Sequence, residues 1–240
     1  MSVNIEVIFQ IKKNEFNETI LDKIINKLNK KFSETRFTFK QEYSEHSKRK
    51  YITISKNNVG MGAIYISGSY KKEIAKKFSF LMLCPNYANL LTKKENENYF
   101  PPEDFVEIAK IVFQESNSVG AWGGIEERLE HYDWEFEDCI LWINFFGEEL
   151  VKKYGKEKLL SAPAYKVEEL SNKGILIWSS YLFGTFGFPK EKEIKEKKLT
   201  EKDLDFYDEW EQERKIAKHL GIKLKGAKGV ELKKWKNTWL

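Results

Sequence analysis

Residues 2–11 read SVNIEVIFQI, with Val3, Ile5, Val7, Phe9 and Ile11 alternating against Asn4, Glu6, Ile8 and Gln10. A period of two over this length predicts a half-buried β-strand. The next eighty residues fit a sheet built around it. Residues 17–32 carry Ile20, Leu21, Ile24, Ile25, Leu28 and Phe32 at helical spacing, with lysines on the outer face. Residues 36–43, 51–55, 61–67 and 77–84 read as further strands. Asn57-Asn58-Val59-Gly60 is a turn signal, because Asn and Gly tolerate positive φ. The first half therefore predicts strand, helix, then an antiparallel meander.

Residues 95–102 are polar and end in Pro101-Pro102, the best connection between two halves. Proline followed by Glu103 and Asp104 opens a helix over 103–114. Residues 140–146 read as a strand. Residues 148–154 and 156–160 are short helical turns stopped by Gly155 and Pro163. Residues 165–170 and 175–181 make a hairpin around Asn172-Lys173-Gly174. Residues 190–198 are a charged linker. A helix over 200–220 is capped by Thr200, with Asp203 in capping-box position, and ended by Gly221. The expected fold is α+β: antiparallel sheet with helices packed on one face, in a single unit over 1–240. Its possible halves are 1–95 and 100–189, followed by a C-terminal helix and basic tail over 199–240.

Composition narrows the class. The chain has 240 residues, 41% hydrophobic and 32% charged, and a net charge of +4. That apolar share is too high, and the charge too small, for a disordered chain. A chain this long buries about 70–75% of its unfolded surface, so it needs neither metal nor disulfide to fold. Its apolar runs, 78–84 and 140–146, fall far short of a membrane span. The first residues lack a basic stretch before their apolar run, so no secretory signal is expected. Cys84 and Cys139 each sit in apolar surroundings and read as reduced thiols of a cytoplasmic protein.

The net charge conceals two poles. Residues 126–149 hold nine acids (Glu126, Glu127, Glu130, Asp133, Glu135, Glu137, Asp138, Glu148, Glu149) against Arg128 alone. Residues 215–240 hold eight lysines against Glu231. The acidic run reads as a helix to about Glu130, with Ile125 and Leu129 on its apolar side, and as an extended stretch from Tyr132. Either way several carboxylates stand side by side and repel one another unless answered. A solvated face answered by nearby lysines is the usual explanation. A surface that steers in a basic partner is the functional one. Trp122 and Trp134 flank the acids, and tryptophan is enriched at interface hot spots, although a core tryptophan is commoner. The candidate contact residues are Trp122, Glu126, Glu127, Glu130, Asp133, Trp134, Glu135, Glu137 and Asp138.

Two other function classes have weaker signals. Trp235 and Trp239 among the tail lysines suit nucleic-acid binding, but no arginine, phosphate loop or known module accompanies them. His46, His131 and His219 lack metal-ligand spacing. His131 beside Glu130 and Asp133 is the one candidate for a hydrolase or metal centre, and a surface histidine among acids is plainer. Catalytic residues, cofactor and metal are therefore not expected.

Residues 140–179 read ILWINFFGEELVKKYGKEKLLSAPAYKVEELSNKGILIWS. The Trp142, Asn144, Phe146 strand, Phe146-Gly147-Glu148-Glu149, Tyr154-Gly155, residues 159–163 and the hairpin with Gly174 resemble bacterial immunity proteins of polymorphic-toxin systems, most closely the immunity protein fifty-two group. Trp122-Gly123 upstream also fits. The resemblance covers about one-sixth of the chain closely and its second half loosely. It implies a cytoplasmic, non-enzymatic α+β protein that binds and neutralises a cognate toxin, of the sort delivered by type VI secretion. Toxins beside this group are often nucleases, whose basic active site an acidic patch can occupy. Asn144 is expected to satisfy backbone groups around its strand and is assigned no chemistry.

Overall fold

The structure, a computed structural model, describes residues 5–17, 19–67, 72–86, 99–125, 140–181 and 209–222. Among them are nine strands: β1 (Ile5–Lys12), β2 (Phe37–Ser44), β3 (Arg49–Lys56), β4 (Val59–Ser67), β5 (Phe78–Pro85), β6 (Gly120–Ile125), β7 (Ile143–Phe146), β8 (Lys166–Glu169) and β9 (Ile175–Trp178). Six helices accompany them: α1 (Thr19–Lys31), α2 (Lys72–Lys77), α3 (Pro102–Glu115), α4 (Glu148–Tyr154), α5 (Lys156–Leu160) and α6 (Glu209–Leu220). The strands form one sheet in the order β2-β3-β4-β5-β1-β6-β7-β9-β8, every pair antiparallel.

The stretch SVNIEVIFQI supplies β1, the fifth of the nine strands. Four strands of the meander lie on one side and four strands from residues 120–178 on the other. The alternation predicted a half-buried strand, but Ile5 to Ile11 are all buried. The reason is position. Ile5, Val7, Phe9 and Ile11 join one apolar cluster while Ile8 joins a second, on the opposite face. Glu6 and Gln10 are carried inside on that second face, with the Cys84 thiol 3.3 Å from the Glu6 carboxylate.

The α+β class holds, with helices on both faces of the sheet. On the first face α1 buries Ile20, Leu21, Ile24 and Leu28, and α3 buries Phe105, Val106, Ile108, Ala109, Val112 and Phe113. Pro102 opens α3 and Glu103 and Asp104 fill its first turn, as the sequence predicted. On the second face α4, α5 and α6 bury Leu150, Val151, Leu159, Ile216, Ala217 and Leu220 against Ile8, Trp122, Phe146 and Ile177. A single covered face would leave that second apolar set in water, at about 25 cal/mol for each Å².

The β3–β4 turn is as expected, with Asn57 and Asn58 at φ 52° and 65°, the left-handed pair of a tight hairpin. Strand β6 differs from the sequence reading. Ile125 ends a strand instead of starting a helix. Three glycines in GAWGGI give it poor intrinsic propensity, and neighbours override that. Gly123 lies opposite Val7, where an added Cβ would stand 2.8 Å from Val7 Cγ2. Only a residue without a side chain lets β6 approach β1 this closely.

Gly123→Ala is expected to destabilise the fold by about 1–3 kcal/mol through overpacking. Combined with Val7→Ala, the loss falls short of the two single losses added together. Urea unfolding of the four proteins of that cycle checks this, and strict additivity would rule out the contact as the cause.

Candidate functional site

The chain leaves β6 at Ile125, paired with Ile5, and is described again from Ile140, shortly before β7. Strands β6 and β7 are neighbours, Gly120 opposite Phe146 and Gly123 opposite Ile143. The acidic run is thus bracketed by two interior strands at one end of the sheet. The registers bring the β3–β4 turn, Pro85, Tyr165 and the end of β9 to that same end.

Of the predicted contact residues the structure describes Trp122. It is 1% exposed, packed in the second-face core across from Ile8 and Asn144, which is the commoner fate of a tryptophan. Glu126, Glu127, Glu130, Asp133, Trp134, Glu135, Glu137 and Asp138 lie outside the described residues. So do His131, Cys139, the linker at 190–198, helix positions 200–208 and the basic tail from 223. Two acids of the same run are described. Glu148 pairs with Lys152 at 2.9 Å and Lys173 at 3.7 Å, and Glu149 pairs with Lys12. Lysines answer these two, as the solvated-face reading holds, and the other seven acids and Arg128 lie outside the described residues.

The point where the acidic run rejoins the fold is held tightly. Asn144 is fully buried. Its Oδ1 accepts from Leu141 N at 2.8 Å and its Nδ2 donates to Leu141 O at 2.6 Å, with longer contacts of 3.4 Å to Ile177 O and Ser179 Oγ. Ser179 Oγ donates to the same Leu141 carbonyl at 2.6 Å, and Trp142 Nε1 donates to Ser180 O at 2.7 Å. The expected backbone role of Asn144 is therefore observed: one amide closes residues 140–143 as a rigid mount.

Next to this mount is a cluster that the sequence reading did not single out. Trp142 stacks on Phe105 at 5.9 Å and meets Trp178 edge-on at 6.4 Å. Trp178 touches Tyr165 at 5.1 Å and Tyr181 at 5.9 Å, and those two tyrosines touch each other at 5.4 Å. The Tyr181 hydroxyl is hydrogen-bonded to Glu103 and to Tyr99; burial first, and then Glu103, hold its proton well above the ordinary tyrosine range. Burial likewise raises Asp104 above the usual carboxylate value, with Lys56 opposing and Glu103 and Glu107 adding to the rise. Tyr165 is 47% exposed and Glu103 is exposed, whereas Trp178 is buried and its Nε1–H has no acceptor among the described residues. The available signal was positional: Tyr165 precedes β8 and Tyr181 follows β9, so the antiparallel pairing of that hairpin brings them near each other.

A groove of about 310 Å³ between α1, α3 and the β8–β9 turn is lined by Lys27, Lys31, Glu107, Lys110, Gln114 and Glu168. Its charges answer one another: Lys110 Nζ is 2.6 Å from both Glu107 and Glu168. Burial opposes the Lys110 charge, yet the two carboxylates hold it above the ordinary lysine value. Burial also opposes the Glu168 charge, yet Lys110 and Lys166 hold it below the usual glutamate value. Among the described residues no cluster of three or more His, Cys, Asp or Glu could hold a metal ion. None of their helices is long and apolar enough to cross a membrane.

No family model matches the chain, and no curated protein does. Among solved structures it is similar to a Pseudomonas aeruginosa T6SS protein, with a TM-score of 0.48 and 9% identity over 89% of this chain and 73% of that one.

Asn144→Ala is expected to cost about 2–4 kcal/mol, because it strands the buried Leu141 groups as well as removing their partners. Chemical denaturation measures this, and a loss below that of an ordinary surface substitution would contradict the rigid mount. The Glu168 carboxylate, held low in the folded state, adds stability above the ordinary glutamate value and loses it as pH falls through its lowered value. Urea midpoints compared at neutral and acid pH should therefore fall less for Lys110→Met than for the unaltered chain. Parallel falls would show that the ion network does not govern this acid sensitivity.

Proposed function

We propose that this chain is a cytoplasmic, non-enzymatic immunity protein that binds and neutralises a cognate bacterial toxin, a nuclease, through the acidic surface of residues 126–138. The observation that carries the reading is the charge pattern. Seven acids against one arginine stand in 13 residues between Ile125 and Ile140. Those two residues adjoin interior strands of a nine-stranded sheet. Unanswered like charges cost stability, so a run this dense calls for a partner that neutralises it. A nuclease supplies that complement, because its active site must hold phosphates.

Two further points support this reading. Residues 140–179 resemble the immunity protein fifty-two group, and the core of that segment is the buried Trp142, Asn144, Phe146 strand with its hairpin. Binding also asks for a rigid scaffold behind a charged surface, since an ordered loop gives up less entropy on association. The Asn144 and Ser179 bonds meet that need at the re-entry point.

Charge reversal at Glu130, Asp133, Glu135 and Glu137 is expected to weaken binding to the toxin encoded beside this protein by at least about a hundredfold, mostly at low salt. Calorimetric titration at two salt concentrations measures it. Unchanged affinity would overturn the acidic-surface reading, and a neighbouring gene that encodes no toxin would overturn the immunity role.

A further inference from the structure

We propose that Tyr99, Tyr165, Tyr181 and Glu103 form a receptor for one cationic side chain, arginine or lysine, of a basic protein partner; the inference rests on the immunity reading for the identity of that partner. The four residues come from three separate places in the chain. Tyr99 precedes α3, Glu103 sits in its first turn, and Tyr165 and Tyr181 flank the β8–β9 hairpin. Ring contacts at 5.1–5.9 Å and the Tyr181 hydroxyl bonds weld them into one patch on a buried Trp178 floor. Tyrosine and tryptophan faces carry negative quadrupole, and a cation over them within about 6 Å is attracted.

Charge at the patch favours a cation over an anion. Glu103 is exposed and has its carboxylate at the rim. Asp104 comes next, its carboxyl raised by burial above the usual carboxylate value while Lys56 beside it opposes the rise. The two lysines nearby are engaged. Lys56 Nζ donates to Tyr99 O at 2.7 Å and lies over the Phe37 ring, and Lys166 pairs with Glu168 at 3.2 Å. One feature of the cluster marks it as more than packing: a large aromatic, Tyr165, is left about half in water. Trp142, two residues after Ile140, touches Trp178 and ties the patch to the Asn144 mount. Tyrosine is among the residues enriched at interface hot spots.

The first part of the test needs no toxin. A nona-arginine peptide, with nona-glutamate as control, is titrated into the full chain and followed by the indole N–H resonance of Trp178 and the ring signals of the tyrosines. The expected result is a shift at Trp178 with the basic peptide alone. Tyr165→Ala and Glu103→Gln should each weaken affinity about five- to tenfold, with Tyr165→Phe close to the unaltered chain because the ring face persists. The Trp178 shift should survive charge reversal at Glu130, Asp133, Glu135 and Glu137, since that surface is separate. No shift at Trp178, or unaltered affinity in both variants with the fold intact by circular dichroism, overturns the receptor. If the Tyr165→Ala, Glu103→Gln double variant still binds the toxin as tightly as the unaltered chain, the receptor falls and the immunity role stands. If the peptide binds as expected and the neighbouring protein is not a toxin, the immunity role falls and the cation receptor stands.

Discussion

Everything in this fold hangs on β1 having four strands on either side of it. The meander of β2 to β5 lies on one side, and β6, β7, β9 and β8 lie on the other. Each block is built from residues C-terminal to β1, and β1 is hydrogen-bonded to both, while Phe80 and Met82 of one share a core cluster with Trp122 and Ile177 of the other. Residue 8 pairs with residue 82 on one side and with residue 122 on the other. Such pairings join residues far apart in sequence, so their loop-closure entropy must be met before their contacts repay it. A strand in that position must also bury both of its faces. That explains the mixture in SVNIEVIFQI, with Ile8 as well as the alternating set turned inward and Glu6 and Gln10 enclosed by neighbours.

The same constraint decides where glycine stands. Strand β6 must come against Val7 on one edge and carry Trp122 into the second-face core. A sequence with β-branched residues at 123 and 124 would have better strand propensity and would not fit. The strands on either side of the Pro101-Pro102 boundary share one sheet, and the ladder that joins them is β1–β6, with Gly123 at its close approach.

Periodicity made most of the fold legible, because most elements bury one face. Helix α1, the meander, the start of α3, the α4–α5 pair and the β8–β9 hairpin all carry their pattern in consecutive residues. What failed has a common cause. The central position of β1, the strand in GAWGGI and the covering of the second face by α4, α5 and α6 depend on neighbours distant in sequence. Local pattern does not encode them. The candidate site divides the same way. Asn144 was readable, since an amide inside an apolar strand must find backbone partners. The tyrosine patch was not, because Tyr99, Glu103, Tyr165 and Tyr181 become adjacent only when α3 packs beside the hairpin.

Two buried polar groups at that end of the sheet show how stability is distributed there. Asn144 has its amide fully engaged by Leu141, Ile177 and Ser179, and it fixes the backbone where the acidic run returns. Trp178, in register with Ile143, leaves its N–H without an acceptor among the described residues, a burden of about 1–3 kcal/mol. A phenylalanine would fill much of the same space without that penalty. Natural sequences break their own consistency mainly at functional or strained sites. In the α1–α3 groove, by contrast, Lys110 and Lys31 are answered by glutamates and the groove ends as a closed ion network. The orphaned indole and the half-exposed Tyr165 lie beside the Asn144 mount, whereas Tyr43, also exposed, stands at the far end of the outermost strand β2.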